Sequence, residues 1–370
     1  MIQVTIDATP LLFRSAGVKN YFYYWTRHLL REARGVEIRL FPFLDAPAWL
    51  DHERSIAGPA ATFARLALLQ FINRFPNDLA GWSDPRVNVF HACKLLNTPR
   101  RARLTATMHD FTSWMVPEMQ RRTNIRADRL FAERILRRAD GLIAVSEATR
   151  SDAVRLLNLP PEKICVIHHG IAREFFDAGP GEAGAARTRH GLQRSYVLFA
   201  GTIEPRKNVD LLLDAYQSLS QSIRDEFDLV VVGPRGWAPE STLARLLDPP
   251  KGIRYLGYVP EQDLPGLFAG ATAFVYPSLY EGFGFPVAQA MAAGAPVVTS
   301  SVSSLPEIAG GAAVLVDPRS EAELRGALAG ILTSPANRER LSALGRANAS
   351  RFSWPECARQ SLRFFERVAG

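Results

Sequence analysis

Arg206 and Lys207 stand side by side in the run GTIEPRKN at 201–208, just after the strand-like stretch 196–200. A guanidinium can fork two oxygens and an ammonium is a compact, movable charge, so the pair suits a phosphate or diphosphate. Later in the chain, Glu281-Gly282-Phe283-Gly284 sets one carboxylate beside two glycines, which let backbone approach a ligand closely. Pro286 and the Ala- and Met-rich stretch 287–293 read as a helix start. Its amides and positive dipole end suit an oxygen-rich, anionic ligand. Gln289 lies on that helix, eight positions after Glu281, and His109-Asp110 follows the strand-like stretch 104–108. Each feature also has a plain structural reading as a turn glycine, a solvated loop cation or a capping acid.

These residues need elements to hold them. Stretch 271–276 reads as a buried strand, 287–293 as a helix that Gly294 closes, and 296–299 as the next strand. The first half alternates in the same way. Strand-like stretches occur at 2–6, 36–42, 87–91, 104–108, 142–145 and 164–167, with helices near 21–30, 62–75 (stopped by Pro76) and 147–157. Gly17 precedes the first of these helices, where backbone amides can meet a phosphate. Stretch 176–187 is rich in Gly and Ala without hydrophobic period and predicts a linker, after which the alternation restarts at 196. Two βα arrays predict an α/β protein of two doubly wound, Rossmann-like domains, with ligand at the carboxyl ends of the strands.

At 370 residues, 47% hydrophobic and 22% charged, the chain has the composition of a soluble globular protein of two domains. It has no apolar run long enough to span a membrane, and its start lacks the basic region of a signal peptide, so a cytoplasmic location is expected. Cys93, Cys165 and Cys357 are far apart and have no metal spacing, which suggests reduced thiols. The net charge of +7 is concentrated in residues 1–180, with 25 Lys and Arg against 18 Asp and Glu; the remainder balances at 19 each. Arg121, Arg122, Arg126, Arg129, Arg134, Arg137 and Arg138 cluster there. The cluster is either a solvated helix face or a surface for an anionic acceptor or for anionic lipid headgroups at the inner face of the membrane. No nucleic-acid-binding motif accompanies it.

EGFG at 281–284, EPRKN at 204–208 and His109-Asp110 together resemble the signature of the retaining glycosyltransferase family 4, and the resemblance covers nearly the whole chain. It implies the GT-B fold, two Rossmann-like domains facing across a cleft. Residues 1–178 would form the acceptor-side domain, 179–194 a linker, 195–351 the nucleotide-sugar domain, and 352–370 a helix packing back on the first domain. It implies catalytic roles for Glu281, His109, Arg206 and Lys207. Glu281 would hold the sugar hydroxyls, His109 would lie near the donor sugar, and the two cations would clamp the diphosphate. Donor contacts are implied at Gly17, Gly201, Gly233, Tyr258, Val259, Phe283, Gly284, Phe285 and Gln289. In the family pattern a second Glu stands where this chain has Gln289. A Gln offers one donor and one acceptor to a ribose diol that a carboxylate would accept twice, which should cost about 1–2 kcal/mol of donor affinity.

With cations supplied by side chains, no catalytic metal and no cofactor are implied beyond the nucleotide-sugar substrate. GPRGW at 233–237, with GTIEPRKN, is similar to bacterial mannosyltransferases of cell-surface polysaccharide assembly. A hexose, mannose from GDP-mannose, would pass to a polysaccharide or lipid-linked glycan. The alternatives are a UDP-sugar-dependent transferase of the same fold, a UDP-GlcNAc 2-epimerase-like enzyme and a non-catalytic sugar-nucleotide-binding module.

Overall fold

The computed structural model describes residues 1–13, 17–45, 47, 54–74 and 86–370. Residues 14–16 of the first glycine loop, and Phe75 and Pro76 at the expected helix stop, lie outside the described residues. The chain forms two compact units. One comprises Met1–Trp114, Arg122–Gly170 and Ser353–Gly370; the other comprises Met115–Arg121 and Ile171–Phe352.

The first unit is built on strands β1 (Ile2–Asp7), β2 (Val36–Phe41), β3 (Val89–Ala92), β4 (Arg103–Met108), β5 (Gly141–Ala144) and β6 (Ile164–Val166). They lie in the order β2-β1-β3-β4-β5-β6, all parallel. The second unit has β7 (Ser195–Ala200), β8 (Phe227–Val232), β9 (Ile253–Gly257), β10 (Ala273–Tyr276), β11 (Val297–Ser300) and β12 (Ala313–Val316). Their order is β12-β11-β10-β7-β8-β9, again all parallel. β8 and β10 are buried along their whole length, as expected of parallel strands covered on both faces. The one acid in β8, Asp228, is met by Arg194 at 2.6 Å.

The strand orders locate the functional edges. In the second unit the order reverses between β7 and β10, so the loops leaving those two strands diverge and open a crevice at their carboxyl ends. The corresponding reversal in the first unit lies between β1 and β3. The loops carrying Arg206, Lys207 and Glu281 follow β7 and β10.

Two segments need explanation beyond local pattern. Where composition predicts a linker over 176–187, and the resemblance one over 179–194, the chain instead forms a helix, Pro180–Arg189, which belongs to the second unit. Glu182 caps it by accepting Gly179 N–H at 3.0 Å, and Ala183 and Ala186 are buried. Its partner is the Leu264–Ala269 helix. A Cβ on Gly266 there would meet Glu182 O at 2.5 Å and Ala186 Cβ at 2.9 Å, so this is small-on-small packing that a hydrophobic periodicity does not reveal. The last helix, Trp354–Ala369, starts at the Ser353 cap and packs within the first unit against the Gly17–Glu32 helix. Trp25 Nε1 donates to Ser361 Oγ at 2.9 Å, and Tyr24 stacks on Trp354 at 5.5 Å. Gly170 is required beneath it, since a Cβ there would fall 2.2 Å from Trp354 N.

Candidate active site

The loop after β7 ends in a 3₁₀ turn, Pro205–Lys207, followed by Asn208 in the left-handed region (φ 60°) at the start of the Val209–Gln217 helix. Asn208 Nδ2 donates to Pro277 O at 3.1 Å and Pro318 O at 2.7 Å, tying this loop to those after β10 and β12. Leu279 N–H donates to Arg206 O at 2.8 Å, and Arg206 Nη1 donates to Tyr280 O at 2.9 Å. The loops after β7 and β10 are therefore joined by one backbone bond and by side-chain donors, Asn208 and Arg206, that reach backbone carbonyls.

Their side chains converge on one atom. Glu281 Oε1 lies 2.5 Å from Lys207 Nζ, 2.7 Å from Arg206 Nη1, 2.8 Å from Ser278 Oγ and 3.0 Å from the Tyr276 hydroxyl. Lys207 also donates to the Tyr276 hydroxyl. A second acid, Glu204, sits 3.2 Å from Arg206 Nε. All four of these contacts to the Glu281 carboxylate fall on Oε1. Burial would raise the Glu281 carboxyl, but the Arg206 and Lys207 charges outweigh it and hold the acid at about 2. Burial and then the Arg206 charge lower the Lys207 ammonium from its usual range, with Glu281 and Glu204 opposing. The two cations and the acid, which the resemblance assigns to the diphosphate and to the sugar, thus form one bonded group.

Glycines fix the surrounding backbone. Gly284 takes φ 99° to start the Phe285–Ala293 helix, and a side chain there would meet Leu305 at 2.7 Å. Pro286 falls in the first turn, and Gly294 (φ 83°) ends the helix where Arg346 Nη2 donates to Ala293 O at 2.8 Å. A Cβ on Gly233 would lie 1.9 Å from Gly201 O, so this pair marks where the loops after β7 and β8 touch. Phe283 is buried and packs edge-on to Phe285 and Phe352, each at 5.4 Å, so its ring is core. Val259 is buried, Tyr258 is exposed, and Gln289 is buried on the helix. Trp237 Nε1 donates to Met119 O at 3.0 Å, and the Arg121 guanidinium lies over its ring at 5.3 Å.

The remaining candidates lie in the first unit. Gly17 is the exposed first residue of its helix, with open space around its Cα. His109 follows β4, packs edge-on against Tyr21 at 4.9 Å, and its Nε2 is buried without a hydrogen-bond partner among the described residues. Burial, countered by Asp110, pushes its imidazolium down to about 4. His91 lies deeper, 3.0 Å from both the Thr105 and Thr107 hydroxyls, and burial pushes it to about 3.

The sequence relates this chain to known proteins. It matches the families described as "Glycosyltransferase Family 4" over residues 15–175 and "Glycosyl transferases group 1" over residues 185–348. It is 31% identical over 386 residues to the O-antigen chain mannosyltransferase B of Escherichia coli, covering 99% of this chain and 100% of that protein. The chain belongs to glycosyltransferase family 4. This glycosyltransferase is also 32% identical to a D-inositol 3-phosphate glycosyltransferase of Nocardioides sp., over 64% of this chain and 55% of that protein. Among solved structures it resembles sucrose-phosphate synthase from Thermosynechococcus elongatus, with TM-score 0.74, 19% identity and coverage of 100% of this chain and 99% of that one. It also resembles Anabaena HepE in complex with UDP and glucose, with TM-score 0.71, 18% identity and coverage of 99% and 100%. At such identities the likeness concerns the fold, which is GT-B.

Four residues of this glycosyltransferase's site escape the motif reading. Tyr276 and Ser278 bond Glu281 from β10 and the turn after it. Ser303, in the left-handed region at φ 55°, accepts Glu281 N–H at 3.0 Å, while Ser304 Oγ donates to Glu281 O at 3.0 Å or Phe283 O at 2.9 Å. A non-glycine residue at such a φ costs on the order of 1 kcal/mol. The Ser-Ser pair at 303–304 is the one signal that could have flagged that loop. Tyr276 reads in sequence as an ordinary strand aromatic.

Proposed function

We propose that this glycosyltransferase moves mannose from GDP-mannose to a polysaccharide or lipid-linked glycan, with retention at C1 and without a catalytic metal or cofactor. The observation that carries the reading is the Arg206–Lys207–Glu281 group at the carboxyl edge of β7 and β10. As the bond between C1 and the diphosphate oxygen breaks, charge builds on the phosphate, and Arg206 and Lys207 supply fixed donors for it. Glu281, through Oε2, would hold the sugar hydroxyls and favour positive charge on the ring. The acceptor hydroxyl attacks C1 on the same face and its proton passes to the departing phosphate, so no protein nucleophile takes part. Gly201, Gly233, Tyr258, Val259 and Gln289 would line the nucleotide. Gly17, His109 and the backbone at Phe283, Gly284 and Phe285 would complete the donor contacts.

Mannose is supported by the likeness to the E. coli O-antigen chain mannosyltransferase B and to mannosyltransferase WbdA, the latter 27% identical over 62% of this chain. The solved complex of HepE with UDP and glucose favours the second reading, a UDP-hexose donor on the same scaffold. No helix among the described residues is long and apolar enough to cross a membrane. The exposed arginines of the Arg122–Arg134 helix support peripheral contact with anionic lipid, with the enzyme working at the inner face. Incubation with GDP-mannose, UDP-glucose or UDP-GlcNAc and a glycan acceptor, with and without EDTA, tests the reading. The expected outcome is EDTA-insensitive release of GDP and an α-linked product. Turnover of a UDP-sugar alone would overturn the donor, a β-linkage the stereochemistry, and EDTA-sensitive turnover the metal independence.

A further inference from the structure

Of the donors on Glu281 Oε1, two are charged and two are neutral. Arg206 and Lys207 are the side chains that a diphosphate would attract, and each bond they make to phosphate weakens their hold on the acid. Ser278 has a single proton and three acceptors within reach: Glu281 Oε1 at 2.8 Å, Arg206 O at 3.0 Å and Tyr280 O at 3.3 Å. Tyr276 differs from all of these. Its ring is fully buried, stacked with Phe199 at 5.7 Å and Phe274 at 5.9 Å, and its carbonyl accepts from Thr299 Oγ1 at 2.8 Å. Its hydroxyl accepts from Lys207 and so directs its own proton to Glu281. Burial and then the Glu281 charge push the phenol well above its usual range, so that proton stays in place at any working pH.

We propose that Tyr276 is a positioning residue for the transfer reaction: its hydroxyl is the fixed donor that keeps Glu281 oriented and ionised when a nucleotide diphosphate draws Arg206 and Lys207 away. The proposal rests on the glycosyl-transfer reading of this site. Among the described residues, the charged and titratable side chains that contact the Glu281 carboxylate or its cations are Glu204, Arg206 and Lys207 from the loop after β7 and Tyr276 from β10. The loop after β11 contributes hydroxyls, those of Ser303 and Ser304. An aromatic residue packed only for bulk would leave the ionisation of Glu281 unchanged. A positioning hydroxyl would not.

Tyr276→Phe keeps the ring in its stack and removes only the hydroxyl. The expected result is an acid limb of the kcat profile raised by about 0.5–1 pH unit, with kcat about three- to tenfold lower below that limb and close to wild type on the plateau above it. The donor KM should change by less than about threefold. A second readout needs no turnover. Titration of GDP, or of UDP if it binds more tightly, in two buffers of different ionisation enthalpy counts protons taken up on binding. Near the acid limb the variant should take up an extra fraction of a proton, up to about a half, as Glu281 loses its cations without the phenol to hold its charge. An unmoved acid limb with an equal proton count in folded Tyr276→Phe would overturn the proposal. If the wild-type enzyme turned over no nucleotide sugar, the transfer reading would fail, while the proton count would still decide the role of Tyr276.

Discussion

Each unit carries a buried acid at the reversal point of its sheet, and the two are held in opposite ways. Asp7, at the end of β1, spends both oxygens on its own chain. Oδ1 accepts Thr9 N–H at 3.2 Å and the Thr9 hydroxyl, and Oδ2 accepts the N–H groups of Cys93, Lys94 and Leu95 at 3.1, 2.5 and 2.7 Å. Glu281, in the loop after β10, is held at Oε1 by side chains, two of them cationic. Backbone amides cannot leave without unmaking the loop, whereas cationic side chains can change partners. The same position in two doubly wound sheets thus serves once to lock a loop and once as an exchangeable charge site.

If Asp7 is a lock, Asp7→Ala should leave four amides unpaired, those of Thr9 and Leu95 buried and those of Cys93 and Lys94 part-buried, and lower stability by about 3 kcal/mol or more in chemical denaturation, the largest effect on stability expected here. A loss under about 1 kcal/mol would break the contrast. A smaller effect sharpens it by pH. The unfolded chain protonates its histidines below about pH 6.5, while folded His91 stays neutral to about 3. The unfolded state therefore binds more protons, and stability falls as pH drops, by about 2 kcal/mol at pH 5 from His91 alone. Glu281 behaves otherwise. Its depressed value means its contribution is complete above pH 4.5 and is lost only as pH falls toward about 2. Melting curves from pH 8 to 5 should fall less in a His91→Asn variant that folds; parallel curves would reject this account. Smallest of the three, Gln289→Glu should tighten GDP by about 1–2 kcal/mol in calorimetry, since a carboxylate can accept both ribose hydroxyls. Equal or weaker binding would remove Gln289 from the nucleotide site.

Much of this was legible along the chain because it is local. The alternation of strands and helices, the glycine turn at Gly284, the cap at Gly294 and the placement of His109 after a strand all follow from neighbours within a few residues. What escaped depends on distant partners. The helix at Pro180–Arg189 is stable because Gly266 lets Ala186 approach, and nothing within its own Gly- and Ala-rich sequence says so. The bonding of Arg206 and Lys207 to Glu281 joins residues far apart in sequence, so the motifs identified the members but not their contact. Tyr276 and Asp7 were hidden for a different reason. A strand aromatic and a strand-end acid are common, and only the atoms around them distinguish a structural role from a functional one.

The central claim is that Glu281 and a nucleotide diphosphate compete for the same two cations, and Glu281→Gln tests it most directly. Calorimetric GDP binding and steady-state GDP release are measured side by side on the variant and the wild type. Turnover should fall about 10²–10³-fold, while GDP binds at least as tightly as before, because Arg206 and Lys207 are no longer shared with a carboxylate. Turnover within about threefold of wild type, or GDP affinity that falls along with turnover, would contradict the account.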